Sequence, residues 1–245
     1  MCFYNSNSKR AMALAKRYGR KTDIIEIIKE IEEEQYKINA YTFPYCPIIT
    51  KNKSIEAAIW GLIPSWTKSI QSAKDIRYKT LNARSETVFE LPSFSAPIMT
   101  KRCLFPSTGF FEFHHTGKNV TPYYIYLKNE EIFSLGAIFD VWQNPKSREE
   151  VMTFSVLTTP ANYLCSKIHN GGENPFRMPL ILNREDEERW LDNSLNIDEI
   201  KSFFEPMHTN KMDAHPISKD FLKKKPNDAS IIAIPNGIFV YAKSF

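Results

Sequence analysis

The stretch Arg102-Cys103-Leu104-Phe105-Pro106-Ser107-Thr108-Gly109-Phe110-Phe111-Glu112-Phe113-His114 decides the fold class. Residues 102–105 and 109–114 are short runs rich in aromatic and aliphatic side chains, parted by Pro, Ser, Thr and Gly, which is the texture of strands joined by turns. Similar runs lie on either side, at 55–60, 122–127, 132–139 and 152–158. Helical patterns flank this middle region. Residues 8–18 form one helix closed by Gly19, and Asp23 with Glu26 resembles a capping box opening a second over 23–36, with Ile24, Ile27, Ile28 and Ile31 on one face. Later helices are expected over 161–168, over 184–191 with Asn183 as N-cap, and over 197–204. Strands grouped in the middle with helices at the ends predict an α+β fold with antiparallel sheet, not alternating βαβ units.

At 245 residues the chain suits one packed domain, and no linker, repeat or low-complexity tract divides residues 1–245. An aromatic content of 13%, with 17 Phe and 11 Tyr, agrees with a β-rich core. The opening MCFYNSNSKR has no apolar segment, and no later run approaches a membrane span, so a soluble, cytoplasmic protein is expected. Cys2, Cys46, Cys103 and Cys165 are far apart and lack CxxC spacing, so they read as reduced thiols and not as a disulfide frame or zinc knuckle. Net charge is +4, and the excess lies between Trp66 and Phe105, where Lys68, Lys74, Arg77, Lys79, Arg84, Lys101 and Arg102 face only Asp75, Glu86 and Glu90. Such a basic stretch with interspersed rings suits either a solvated surface or a polyanion, whose phosphates take the cations and whose bases stack on the rings.

The chemistry concentrates in a few positions. Removal of Met1 leaves Cys2 with a free α-amine beside its thiol. The amine titrates at about 7.7–8.0 and the thiol at about 8.5, so part of the amine is nucleophilic at neutral pH. It can form a Schiff base with an aldehyde, and the thiol can then close a five-membered thiazolidine with the effective molarity of an intramolecular step. In Leu81-Asn82-Ala83-Arg84-Ser85-Glu86, Asn82 can orient a reacting group or form a turn, and Arg84 and Arg102 can hold phosphates. Glu112, among Phe110, Phe111 and Phe113, is either exposed or buried with a raised pKa. His169 ends a predicted helix, whose dipole favours its charged form and makes it a proton donor or simply a cap. His114, His115, His208 and His215 have no metal-ligand spacing with it. Trp60 and Trp66 frame a Gly and Pro turn that can supply one core ring and one exposed ring.

Taken in order, Met1-Cys2, Trp60-Gly61 with Pro64 and Trp66, Asn82-Ala83-Arg84 with Glu86, Arg102-Cys103-Leu104 leading to Glu112, Pro122-Tyr123, Thr158-Thr159 with Ala161-Asn162, Ile168-His169, Arg177-Met178-Pro179 and His215-Pro216 resemble the SOS response-associated peptidase family. The resemblance spans nearly the whole chain. It implies an α+β domain around a curved, barrel-like antiparallel sheet, acting as a monomer near the nucleoid on single-stranded DNA that carries abasic sites, with no cofactor and no metal. The implied activity is a DNA–protein crosslink through Cys2, with peptidase-like removal of Met1 and a lyase side reaction. Asn82 would position the sugar or amine, Glu112 would assist leader removal and Schiff-base chemistry, and His169 would be the acid on the sugar. Trp66, Arg77, Arg84, Arg102 and Arg177 would contact DNA. Two departures stand out: Phe3-Tyr4 follow Cys2 where the family continues Gly-Arg, and Asn170 to Phe176 separate His169 from Arg177. Competing readings are a non-catalytic single-strand binder and a conventional cysteine peptidase pairing Cys2 or Cys165 with His169.

Overall fold

The computed structural model describes residues 3–22 and 33–235. Strands β1 (Tyr4–Asn7), β2 (Gln35–Asn39), β7 (Gly109–Thr116), β8 (Asn119–Leu127) and β13 (Met212–Pro216) form one sheet in the order β13-β8-β7-β1-β2. A second, eight-stranded sheet contains β3 (Tyr45–Ile48), β4 (Glu56–Trp60), β5 (Asn82–Arg84), β6 (Arg102–Ser107), β9 (Phe133–Gln143), β10 (Glu150–Pro160), β11 (Arg177–Pro179) and β12 (Ile181–Leu182). Pairing is antiparallel except where β10 runs parallel to β4 and β5. Helices α1 (Ala11–Tyr18), α2 (Ile70–Arg77), α3 (Ser95–Thr100), α4 (Tyr163–Ile168), α5 (Glu187–Trp190) and α6 (Ile197–Lys201) are short. The fold is thus α+β, as the residue pattern predicts, but the sheets curl without closing into a barrel. Among the described residues no helix is long and apolar enough to cross a membrane.

Alternation along β7 explains the layering, because successive side chains on a strand point to opposite faces. Phe110 joins the core shared by both sheets, with Trp60, Phe105 and Phe154, whereas Phe111 joins a separate cluster with Tyr124 and Phe221 on the outer face. Glu112 shares the parity of Phe110 and is therefore driven inward, where it is 2% exposed. The other face of the eight-stranded sheet packs against Leu14 of α1, Trp190 of α5 and Ile200 of α6. The edge of β2 is covered by the C-terminal segment: Lys37 N donates to Pro226 O at 3.1 Å, and its buried Nζ donates to the carbonyls of Phe221, Leu222 and Lys224.

Several sequence expectations need correction. Gly19 does cap α1, in the left-handed conformation at φ 60°, but the helix starts at Ala11. The predicted helix over 23–36 lies largely outside the described residues, and its end is wrong, since Gln35 and Tyr36 pair in β2. Asn183 precedes a 3-10 turn, yet its side chain bonds Asp186 and caps no backbone amide. Arg102, expected on phosphate, is 2% exposed. Its guanidinium donates to the carbonyls of Ile98, Met99, Trp190 and Asp192, tying α3 and the end of α5 to β6. Four of its five N–H donors are taken up by backbone carbonyls and the group is buried, so Arg102 is structural.

Arg102→Met should destabilise the protein by about 3 kcal/mol, because it strands those buried carbonyls. Arg102→Lys should recover only part of the loss, since an ammonium cannot reproduce the planar fork. Urea denaturation of the three proteins checks the ranking.

Candidate active site

Two buried ionisable groups meet between the sheets. β7 delivers Glu112, and α4 delivers His169 as its C-cap. Asn162 starts α4 by accepting from Cys165 N at 2.9 Å, and His169 N closes it on Cys165 O at 2.7 Å. Leu164, Cys165 and Ile168 bury the helix in the shared core, which sets the position of the histidine. His169 Nδ1 lies 3.0 Å from Arg177 O, and a neutral ring donates there through Nδ1–H. Its Nε2 then faces Glu112 Oε2 at 3.7 Å. Glu112 Oε1 has no hydrogen-bond partner among the described residues.

Dehydration sets the proton inventory of this pair. Burial pushes Glu112 up to about 7 and His169 down to about 4. The expectation of a charged His169 is therefore overturned: desolvation outweighs the field of a six-residue helix. Near neutrality His169 is an uncharged imidazole, and the exchangeable acidic proton of the pair belongs to Glu112.

Arg177 is not free to meet phosphate. It is 5% exposed, and its guanidinium forks onto both oxygens of Glu86 while donating to Thr158 O at 2.7 Å and Thr158 Oγ1 at 3.1 Å. Its expected DNA contact is thus corrected; the carbonyl of Arg177, not its charge, serves the site by holding His169. Glu86 also lies 3.9 Å from Arg84 Nε, so the brace reaches an exposed cation. The motif reading included Glu86 but missed this role, because only the parallel register of Thr158 with Arg84 brings the two segments together.

Asn82 is 7% exposed on β5, and neither end of its amide has a hydrogen-bond partner among the described residues. A buried amide with both ends unmet is rare and suits a group that binds a ligand. Trp60 is fully buried and Trp66 is 55% exposed, which resolves that pair. Arg77 is half-buried with its guanidinium 4.0 Å above the Phe43 ring. Cys165 cannot act as a peptidase nucleophile toward His169, because its thiol is fully buried and pushed far above its ordinary value. Among the described residues no group of three or more His, Cys, Asp or Glu is placed to hold a metal.

Beside Glu112 and His169 opens a cavity of about 430 Å³, walled by Phe3, Tyr41, His115 and Gly171 among others. Met1 and Cys2 lie outside the described residues, but Phe3, the next residue in the chain, is part of this wall. Tyr41 escaped the sequence reading, since a lone Tyr in a 3-10 turn carries no local signal of a cavity.

Comparison with known proteins bears on this arrangement. The profile of the SOS response associated peptidase (SRAP) family matches residues 1–223. The chain belongs to the SRAP family. It is 32% identical over 220 residues to the abasic site processing protein YoqW of Bacillus subtilis, covering 86% of this chain and 93% of that one. The abasic site processing protein HMCES of Gallus gallus is 33% identical over 153 residues, 54% of this chain and 44% of that relative. A crystal structure of a protein from Bacteroides thetaiotaomicron superposes with a TM-score of 0.92 at 50% identity, covering 96% of this chain and all of that one. A protein from Bordetella bronchiseptica shares the SRAP fold at a TM-score of 0.76 with 18% identity.

Glu112 also makes this SRAP chain pH-sensitive. The carboxyl ordinarily titrates at 4.5 and in the folded protein at about 7, so the native state holds the extra proton between those values. Its contribution is therefore complete below pH 4.5 and is lost as pH rises through 7. Glu112→Gln should gain about 3 kcal/mol relative to wild type between pH 4.5 and 8. Urea unfolding of both proteins at the two pH values checks this.

Proposed function

We propose that the protein processes abasic sites in DNA by capturing the sugar aldehyde of a single strand on Cys2. The observation that carries this reading is a carboxyl with its pKa raised to about 7, facing a neutral histidine in a cavity whose wall includes the residue next to Cys2. The family membership and the names of the relatives support the substrate class.

Hydrolysis of the Met1–Cys2 bond frees the α-amine. The amine adds to the aldehyde carbon of the ring-opened sugar, and the carbinolamine loses water to become a Schiff base. The Cys2 sulfur then adds to the same carbon while its proton passes to nitrogen, giving a thiazolidine with the net release of one water. Glu112 titrates in the range where one group can both give and take the protons of dehydration. His169 is neutral with its Nδ1–H directed at Arg177 O, so its Nε2 acts as an acceptor for the hydroxyl on the anomeric carbon of the sugar and not as an imidazolium donor. The unmet amide of Asn82 orients the sugar or the amine. Exposed Arg84 takes a neighbouring phosphate, and exposed Trp66 stacks on a base or wedges at a strand junction. Arg77 is the remaining candidate contact of the basic stretch. A Schiff base that eliminates the 3′ phosphate before ring closure accounts for lyase activity.

Intact mass spectrometry after incubation with an abasic oligonucleotide should find the chain without Met1, plus the oligonucleotide, less one water. Cys2→Ala should abolish this product, and Glu112→Gln should slow it by about 100-fold. Crosslinked protein that retains Met1 would overturn the reading, as would Cys2→Ala crosslinking at the wild-type rate.

A further inference from the structure

The cavity at Glu112 and His169 is larger than one pentose requires. Its volume of about 430 Å³ falls within the range of sites that enclose whole small molecules, about 300–1,000 Å³. Its chemistry is also unlike that of a phosphate site, for no Lys or Arg is among the described residues that line it. The walls farther from the pair offer the rings of Phe3, Tyr41 and His115, the amide of Asn174 and the carboxylate of Glu173 instead.

Those walls are firmly built. The Phe3 and Tyr41 rings lie 4.8 Å apart between centroids, tilted by 38°. Both are placed by backbone bonds, since Ala40 N donates to Phe3 O at 2.9 Å and Tyr41 N donates to the Asn39 side chain at 3.0 Å. Tyr41 nevertheless keeps 45% of its surface exposed, which leaves ring area for a ligand. The segment from Gly171 to Asn174 lines the same cavity. It is clamped to β7 by Asn170, whose side chain accepts from His115 N at 2.7 Å and donates to His115 O at 3.0 Å. Gly171 packs so closely that a Cβ there would come within 2.6 Å of the His115 ring. These walls, one of them aromatic and one carrying the Glu173 carboxylate, bound a space that favours a flat group without negative charge.

We propose that this outer part of the cavity is a slot for the nucleobase flanking the abasic sugar on the same strand, stacked against Tyr41 and Phe3. The proposal rests on the abasic-site reading and deepens it. A strand whose lesion lies at Glu112 has its neighbouring base within the same cavity, while its phosphates remain outside, where cations such as Arg84 are exposed. Every base has a π-face, so the slot accepts any sequence, with purines ahead of pyrimidines because they cover more of the rings. Binding energy from a base that takes no part in the reaction then helps to hold the sugar in place.

Crosslinking rates of wild type, Tyr41→Ala and Tyr41→Phe test this on two single-stranded oligonucleotides, each with one abasic site. In one the site is flanked by adenines, and in the other by baseless tetrahydrofuran spacers. Wild type should react about tenfold faster with the adenine-flanked strand. Tyr41→Ala should lose that advantage while matching wild type on the spacer-flanked strand, and Tyr41→Phe should keep it. Equal wild-type rates on the two strands, or a Tyr41→Ala defect of the same size on both, would overturn the slot and leave the crosslinking reading standing. Failure of wild type to attach to either strand would remove the crosslinking reading itself, and the slot with it.

Discussion

The structure depends on the dehydration of one carboxyl. Glu112 is carried inward by the alternation of β7, into the core that both sheets share, and among the described residues no Lys or Arg forms an ion pair with it. Such a group answers burial by keeping its proton, and that is what lifts it to neutrality. The same dry environment strips the charge from His169. Burial thus works against the ion pair that their names alone would suggest and favours keeping the proton on the acid. The proposed amine and aldehyde chemistry would gain from this, since protons can be given and taken near neutral pH without a fixed charge repelling the nucleophile.

What holds the pair in place is a brace at the junction of β5, β10 and β11. Arg177 is neutralised by Glu86 and secured to Thr158, which leaves its backbone carbonyl as a rigid acceptor for the imidazole. The brace ends at exposed Arg84, so a structural ion pair and a solvent-facing cation share one carboxylate. Arg102 illustrates the same economy elsewhere, joining two helices to a strand through backbone carbonyls. Basic residues in this chain are therefore divided between internal fastening and outward contact, and composition counts them alike.

The long central strands were legible because period-two patterns with aromatic residues extend over eight or more residues in β7, β8, β9 and β10. The strands of two or three residues, β5, β11 and β12, left no such trace. They exist because longer neighbours supply their hydrogen bonds. Tyr36 was misread for a related reason, since helical propensity in the preceding acidic segment runs on past the point where pairing with β1 takes over. Trp60 and Trp66 could be separated only once the turn between them was placed.

By itself the sequence determined the α+β class, the places of the long strands, and the set of residue types available for chemistry at Cys2, Asn82, Glu112 and His169. Tertiary structure decided which of the basic residues stay outside, where the proton of the Glu112–His169 pair resides, and that Tyr41 and Gly171 wall the same cavity. The division has a physical cause. Strand pattern and residue type are local properties of a chain, whereas burial, dielectric environment and the meeting of segments distant in sequence are created only when the sheets close over one another.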